Sequence, residues 1–225
     1  IEAIDSVLSQ TYQNFELILI DDGSTDDVSR ITTKASTDSR LKYVRQANAG
    51  PGKARNVGVS ISTGVYVAFL DSDDRFLPTK LEQQVLYLQE NQFDITHTSY
   101  IRSDFQGGKS RIVHSGQIAT VQAKDLIAEC PIAMPTVLGR ADVFRYTHFP
   151  EDISFGEDVC LWIKLAATYS FGGFDVPLSV VRVGPDSASA NIQKQAEGSL
   201  NVVRFLINDP YLSKFRLEIS QLQKF

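Results

Sequence analysis

The chain has 225 residues, 43% of them hydrophobic and 22% charged, with a net charge of −5; that is ample for one sizeable core and ordinary for a soluble α/β domain. The acidic balance, with no visible basic stripe, argues against a nucleic-acid partner, and no run approaches the roughly 18 apolar residues of a membrane span. Cys130 and Cys160 lack zinc or redox spacing and read as free thiols in a reducing, cytoplasmic compartment.

Ile1-Glu2-Ala3-Ile4-Asp5-Ser6-Val7-Leu8 is apolar at 1, 4, 7 and 8, which predicts a helix over about 2–10. A doubly wound domain ordinarily opens on a strand, so a first strand is expected to be missing from this chain. Phe15-Glu16-Leu17-Ile18-Leu19-Ile20 predicts a buried strand, a polar segment at 25–36 has helical tendency, and Leu41-Lys42-Tyr43-Val44 is a short strand. A glycine loop at 48–52 precedes a helix over about 53–62. Val65-Tyr66-Val67-Ala68-Phe69-Leu70 is the next strand, then a helix over 78–91 opened by Pro78, then a strand from Phe93 to Tyr100. This alternation implies a Rossmann-like, mostly parallel sheet with helices on both faces, in a single compact domain.

The second half changes character. Ser103 to Gly116 carries Gly107-Gly108 between polar flanks and reads as a hairpin or loop. Short helices are predicted over 122–129 and 140–146, a longer one over 157–169, strands over 173–183 and a helical tail after Asn191.

Two acidic clusters each follow a predicted strand: Asp21-Asp22-Gly23-Ser24 and Asp71-Ser72-Asp73-Asp74. Ligands of open α/β sheets bind beyond the carboxyl ends of the strands. Carboxylates massed there repel unless a cation or a donor offsets them. Two carboxylates on alternate residues suit Mg²⁺ or Mn²⁺ shared with phosphate; a capping turn before the next helix is the plainer alternative. The first cluster fits a turn with an N-cap and equally an acceptor for a uracil imide N–H. Arg55, in Gly50-Pro51-Gly52-Lys53-Ala54-Arg55-Asn56, would favour an anionic phosphate at a helix start, and the segment is not a P-loop. Glu157-Asp158 opens the apolar face Val159-Cys160-Leu161-Trp162; two acids there satisfy the helix dipole or supply a base for an acceptor hydroxyl. His97, His114 and His148 share no ligand spacing.

In that order and spacing, these motifs resemble the family 2 glycosyltransferases, inverting nucleotide-sugar enzymes with a GT-A fold. The likeness runs from Ser6-Val7-Leu8-Ser9-Gln10-Thr11-Tyr12 and the Asp21-Asp22 strand end, through Ala54-Arg55-Asn56 with Gly58 and Asp71-Ser72-Asp73-Asp74 with Pro78, to Gly156-Glu157-Asp158 with Leu161-Trp162. It implies a GT-A domain over 1–190, nucleotide-binding over about 1–100 and acceptor-side, variable and catalytic over about 101–190, with a helical tail over 191–225. It also implies roles: Asp22 reads the nucleobase, with Asp21 beside it among the cofactor-binding residues, Arg55 lies near the diphosphate, Asp73 holds the metal with Asp71 nearby and also cofactor-binding, and Asp158 is the general base with Glu157 supporting it. The implied reaction moves a single sugar from a nucleotide-sugar, a UDP-sugar above others, to a hydroxyl of a glycan, lipid-linked or other acceptor, with Mg²⁺ or Mn²⁺. Polysaccharide biosynthesis is the expected setting, and any membrane contact is expected to be peripheral, at the inner face. A catalytically impaired nucleotide-binding or scaffold module of the same fold is the alternative.

Three departures from the family pattern stand out. Its first strand and Pro-x-Tyr-Asn-like turn are missing. Gly184, in Val181-Arg182-Val183-Gly184-Pro185-Asp186-Ser187-Ala188-Ser189, replaces the late histidine. The Gln-x-x-Arg-Trp motif of processive synthases is lacking, which favours single-sugar transfer.

Overall fold

Strand and helix alternate through the first hundred residues as the apolar patterning predicts, except at 75–76, where a two-residue strand follows a strand with no helix between. The computed structural model describes residues 1–105, 108–184, 191–215 and 218–219. Helix α1 (Glu2–Leu8) leads to β1 (Leu17–Asp22), α2 (Ser29–Thr37), β2 (Leu41–Gln46), α3 (Pro51–Ile61), β3 (Tyr66–Ala68), β4 (Arg75–Phe76) and α4 (Lys80–Asn91). Strands β5 (Ile95–Asp104) and β6 (Ser110–Val113) form the expected hairpin, although Gly107 lies outside the described residues. Then come α5 (Ala123–Ala128), β7 (Leu138–Arg140), α6 (Ala141–Tyr146), α7 (Glu157–Ala166), β8 (Phe171–Val183) and α8 (Ile192–Asn208). Of the expected helical tail, α8 and a 3-10 turn at Leu212–Phe215 are present; residues 216–217 and 220–225, and Pro185–Ser189 of the late segment, lie outside the described residues.

Hydrogen bonding divides the strands into a parallel pair, β1·β2, and a six-stranded sheet ordered β3-β7-β5-β8-β4 with β6 on β5. The α/β class stands, and the two longest pairings, β1·β2 and β5·β8, are parallel. The shorter pairings of β3, β4, β6 and β7 are antiparallel, so strand directions are more mixed than expected. The β5·β8 register shifts near Ser99, opposite Pro177, where a proline cannot donate to the ladder.

The main core lies between this sheet and α7. Cys160, Leu161, Trp162, Ile163 and Leu165 of α7 are buried, against Ile95 and Phe171 of the long strands. Phe69 meets Phe144 edge-on at 5.0 Å between centroids and Phe149 at 5.2 Å, and Phe149 meets Trp162 at 6.0 Å. Each large apolar side chain fully buried in this way contributes about 1.5–3 kcal/mol. This packing fixes both the β3–β4 loop, through Phe69, and the start of α7, through Trp162. A second cluster, Val7, Phe76, Leu81, Leu88 and Leu138, seats α1 and α4.

Candidate active site

Two chain segments, the β3–β4 loop and the first turn of α7, are joined by Arg55 of α3, and the end of β1 holds the backbone from which α3 starts. β1 delivers Asp21 and Asp22 past its last core residues. Asp21 is buried; one oxygen accepts from the Ser24 amide at 2.7 Å and the other from the Tyr43 hydroxyl. The Tyr43 hydroxyl first, then the Ser24 amide, holds the carboxyl down at about 2. Asp22 Oδ1 accepts from Gln46 Nε2 at 2.7 Å and from the Ala49 amide at 2.9 Å, while Oδ2 accepts from the Gly50 amide at 2.8 Å. Asp22 thereby clips the 49–50 backbone to the strand end. Gly23 and Gly50, at φ +78° and +89°, adopt the left-handed backbone that these turns need.

Helix α3 starts where that clip leaves the chain, with Pro51 in its first turn. Gly52 permits a close approach: a Cβ there would meet the Pro150 carbonyl oxygen at 2.4 Å. One turn on, Arg55 reaches across the site. Its Nη1 lies 2.6 Å from Glu157 Oε1 and its Nη2 2.8 Å from Asp71 Oδ1, with the guanidinium 5.5 Å from the Phe149 ring centroid. Burial opposes the charge, but the carboxylates of Asp71 and Glu157 outweigh it and hold Arg55 firmly protonated.

The β3–β4 loop carries the second acidic cluster because β3 ends at Ala68, two residues earlier than predicted. The Asp74 amide donates to the Asp71 carbonyl at 3.1 Å, curling the loop. Asp74 is buried and accepts from the Arg182 amide at 2.9 Å, while Arg182 Nε donates to the Asp73 carbonyl. Burial and then the Asp71 charge raise the Asp73 carboxyl; burial, together with the Asp71 and Asp73 charges and against the Arg182 amide, pushes Asp74 up to about 7. Among the described residues no three or more His, Cys, Asp and Glu side chains form a ready cage for a metal. The donor set is nonetheless hard oxygen carrying excess negative charge. It suits Mg²⁺ or Mn²⁺, which keep several waters and share substrate phosphates.

Helix α7 opens on Gly156, at φ +85°, with both acids in its first turn. Glu157 is buried on Arg55, and Asp158 Oδ1 accepts from the Val159 amide at 2.8 Å. Burial and then the Glu157 charge raise Asp158 to about 6, with Arg55 pulling the other way. All seven residues singled out from sequence are thus at strand ends, helix starts or the loop between, and Arg55 ties Asp71 to Glu157 directly.

Residues that sequence reasoning passed over complete the frame. Tyr43 and Gln46 on β2 hold Asp21 and Asp22, and Arg182 on β8 holds the acidic β3–β4 loop. Arg182 stands in the late segment where only Gly184 drew attention. A Cβ at Gly184 would lie 2.5 Å from the Phe105 ring, so any side chain at this position would require that ring to move.

A sequence profile described as Glycosyl transferase family 2 matches residues 1–146. The chain belongs to this family. It is 46% identical over 216 residues to an uncharacterized glycosyltransferase of Rickettsia felis, covering 96% of this chain and 36% of that protein. The chain spans about a third of the length of the Rickettsia family members that it matches at 43–46% identity. It is 31% identical over 207 residues to the Escherichia coli UDP-Glc:alpha-D-GlcNAc-diphosphoundecaprenol beta-1,3-glucosyltransferase WfaP, covering 89% of this chain and 78% of that one. Among solved structures, the mannosyltransferase PcManGT of Pyrobaculum calidifontis, in complex with GDP-Man and Mn²⁺, matches with a TM-score of 0.71 at 19% identity, covering 98% of this chain and 65% of that one. The fold is therefore that of the GT-A glycosyltransferases, as the resemblance implied.

Proposed function

We propose that this family 2 domain transfers a single sugar, with inversion, from a UDP-sugar to an acceptor hydroxyl. The observation that carries the proposal is the Arg55 bridge, 2.8 Å from Asp71 and 2.6 Å from Glu157, which brings the acidic loop and the start of α7 to one site. The E. coli relative uses UDP-Glc and a lipid-diphosphate-linked acceptor, by its name, and PcManGT was solved with a nucleotide-sugar and Mn²⁺.

In this scheme Asp22 reads the base. Three donors occupy its two oxygens, and a carboxylate has about four acceptor positions. One remains for a uracil imide N–H, beside a loop that Asp22 itself holds rigid. Asp21, kept ionised by Tyr43 and Ser24, anchors the turn. Asp73, with Asp71 nearby, would hold Mg²⁺ or Mn²⁺, which when bound neutralises the departing diphosphate as a Lewis acid.

Asp158 takes the proton from the acceptor hydroxyl as its oxygen attacks the anomeric carbon; the bond to the diphosphate breaks on the opposite side. At a pKa of about 6, Asp158 is ionised at neutral pH yet more basic than an ordinary carboxylate. The Glu157 charge strengthens that basicity, and Arg55 limits it so that the ionised form persists. No helix of the described residues is long and apolar enough to cross a membrane.

Turnover of UDP-sugars by the wild type, lost on Asp158→Asn with UDP binding retained, is the expected result. UDP binding without turnover of any sugar nucleotide by the wild type would favour a binding module instead.

A further inference from the structure

The β5–β6 hairpin carries a pairing that folding alone does not favour. Arg102 and Arg111 stand directly opposite each other across the two strands, and like charges in that position are destabilising. Neither guanidinium has an ion pair or side-chain hydrogen bond with the described residues. The nearest acid in sequence, Asp104, is committed elsewhere: its oxygens accept from the Gly108 amide at 2.8 Å and the Lys109 amide at 3.1 Å. Arg102, Lys109 and Arg111 line a concavity of about 350 Å³ together with Ser103, Ser110, Val183 and the Asp104 carboxylate, so three cations face one acid there.

That concavity adjoins the acidic loop. Val183 follows Arg182, whose amide holds Asp74 at 2.9 Å, and Ser103 pairs with Arg182 in the β5·β8 register. Tyr100 lies two residues before Arg102 on the same face of β5. Burial raises its hydroxyl pKa; Arg102 and Arg111 pull it down, and Cys130 and Asp74 push it up. Two basic groups with no ion pair or side-chain hydrogen bond among the described residues therefore stand on β5 and β6, beside the segment of β8 that holds the acidic loop.

We propose that Arg102 and Arg111 form an anion subsite that takes a phosphate or diphosphate group carried by the acceptor. Paired guanidinium forks match phosphate oxygens bidentately, and the anion would relieve the repulsion across the hairpin. The proposal rests on the glycosyltransferase reading, and it narrows the acceptor to one bearing phosphate near the reacting sugar.

The test is calorimetric titration of inorganic pyrophosphate into the EDTA-treated protein, with Arg102→Ala/Arg111→Ala and the single exposed-site variant Arg111→Glu beside the wild type. Circular dichroism checks that each variant folds. The proposal expects wild-type binding that weakens about tenfold or more in either variant, as for loss of charge-assisted hydrogen bonds. Equal binding in all three proteins, or none in the wild type at millimolar pyrophosphate, would overturn it. Flotation with phosphatidylglycerol vesicles separates the source of the phosphate: a variant defect on vesicles with pyrophosphate binding unchanged would also overturn the acceptor assignment, in favour of a bilayer surface. UDP titration with Mn²⁺ in the same proteins reads the donor site separately. Pyrophosphate binding through the arginines without UDP binding would fail the glycosyltransferase reading alone; UDP binding without pyrophosphate binding would fail the subsite alone.

Discussion

Arg55 and Glu157 lie 102 residues apart in sequence, yet Nη1 and Oε1 are 2.6 Å apart, with only 16% and 9% of the two side chains exposed. Removing one partner of such a pair leaves an uncompensated buried charge, which costs about 3–5 kcal/mol. Arg55→Met should lower stability by that amount in urea melts at pH 7, and Arg55→Met/Glu157→Gln should recover a large part. Equal destabilisation in the single and double variants would mean that the bridge is not what the single variant breaks.

The same arginine acts on Asp158, the proposed base. With Asp158 at about 6, kcat/KM should rise with pH through an acid limb near that value. Arg55 lowers the Asp158 pKa, so in Arg55→Met the limb should move to higher pH. Asp158→Asn should cost about 10²–10⁴ in kcat. Stability carries the same signature. The folded-state pKa is raised above the ordinary 3.8, so the folded state holds this proton longer than the unfolded chain, and the Asp158 contribution to stability falls as pH rises from about 4 to about 6. Asp158→Asn should flatten that slope in urea melts; an unchanged slope would contradict the assignment.

Lys80 offers an independent check, away from the site. It is fully buried on α4, its Nζ donating to Gln84 Oε1 at 2.7 Å and lying 4.4 Å from the Phe76 ring centroid. Burial lowers its pKa to about 7. The unfolded chain therefore binds this proton more tightly, and stability should rise as pH increases from 7 towards 10.5. Lys80→Met should remove the rise and be about 1–3 kcal/mol more stable than the wild type below pH 7, net of the lost hydrogen bond.

Much of this site was legible because each motif sits where a local pattern ends: Asp21 after Leu17–Ile20, Asp71 after the β3 run, Glu157 before the apolar face of α7. What bound them was not. The Arg55 bridge joins residues 16 and 102 positions apart, and Tyr43, Gln46 and Arg182 act through pairings that no short window contains. β4, at two residues, and β7, at three, are too short for a period to register; they exist because the flanks of β8 and β5 offer unpaired backbone. β3 ends at Ala68 because Phe69 turns into the aromatic core with Phe144 and Phe149 rather than continuing the ladder.

The most direct measurement is calorimetric titration of UDP into the protein with Mn²⁺ and then with EDTA, for the wild type and Asp73→Ala. Binding that needs Mn²⁺ and is lost or strongly weakened in Asp73→Ala is the predicted result. UDP binding that is equally strong in EDTA, or that Asp73→Ala leaves untouched, would contradict a metal-held nucleotide-sugar site at the β3–β4 loop.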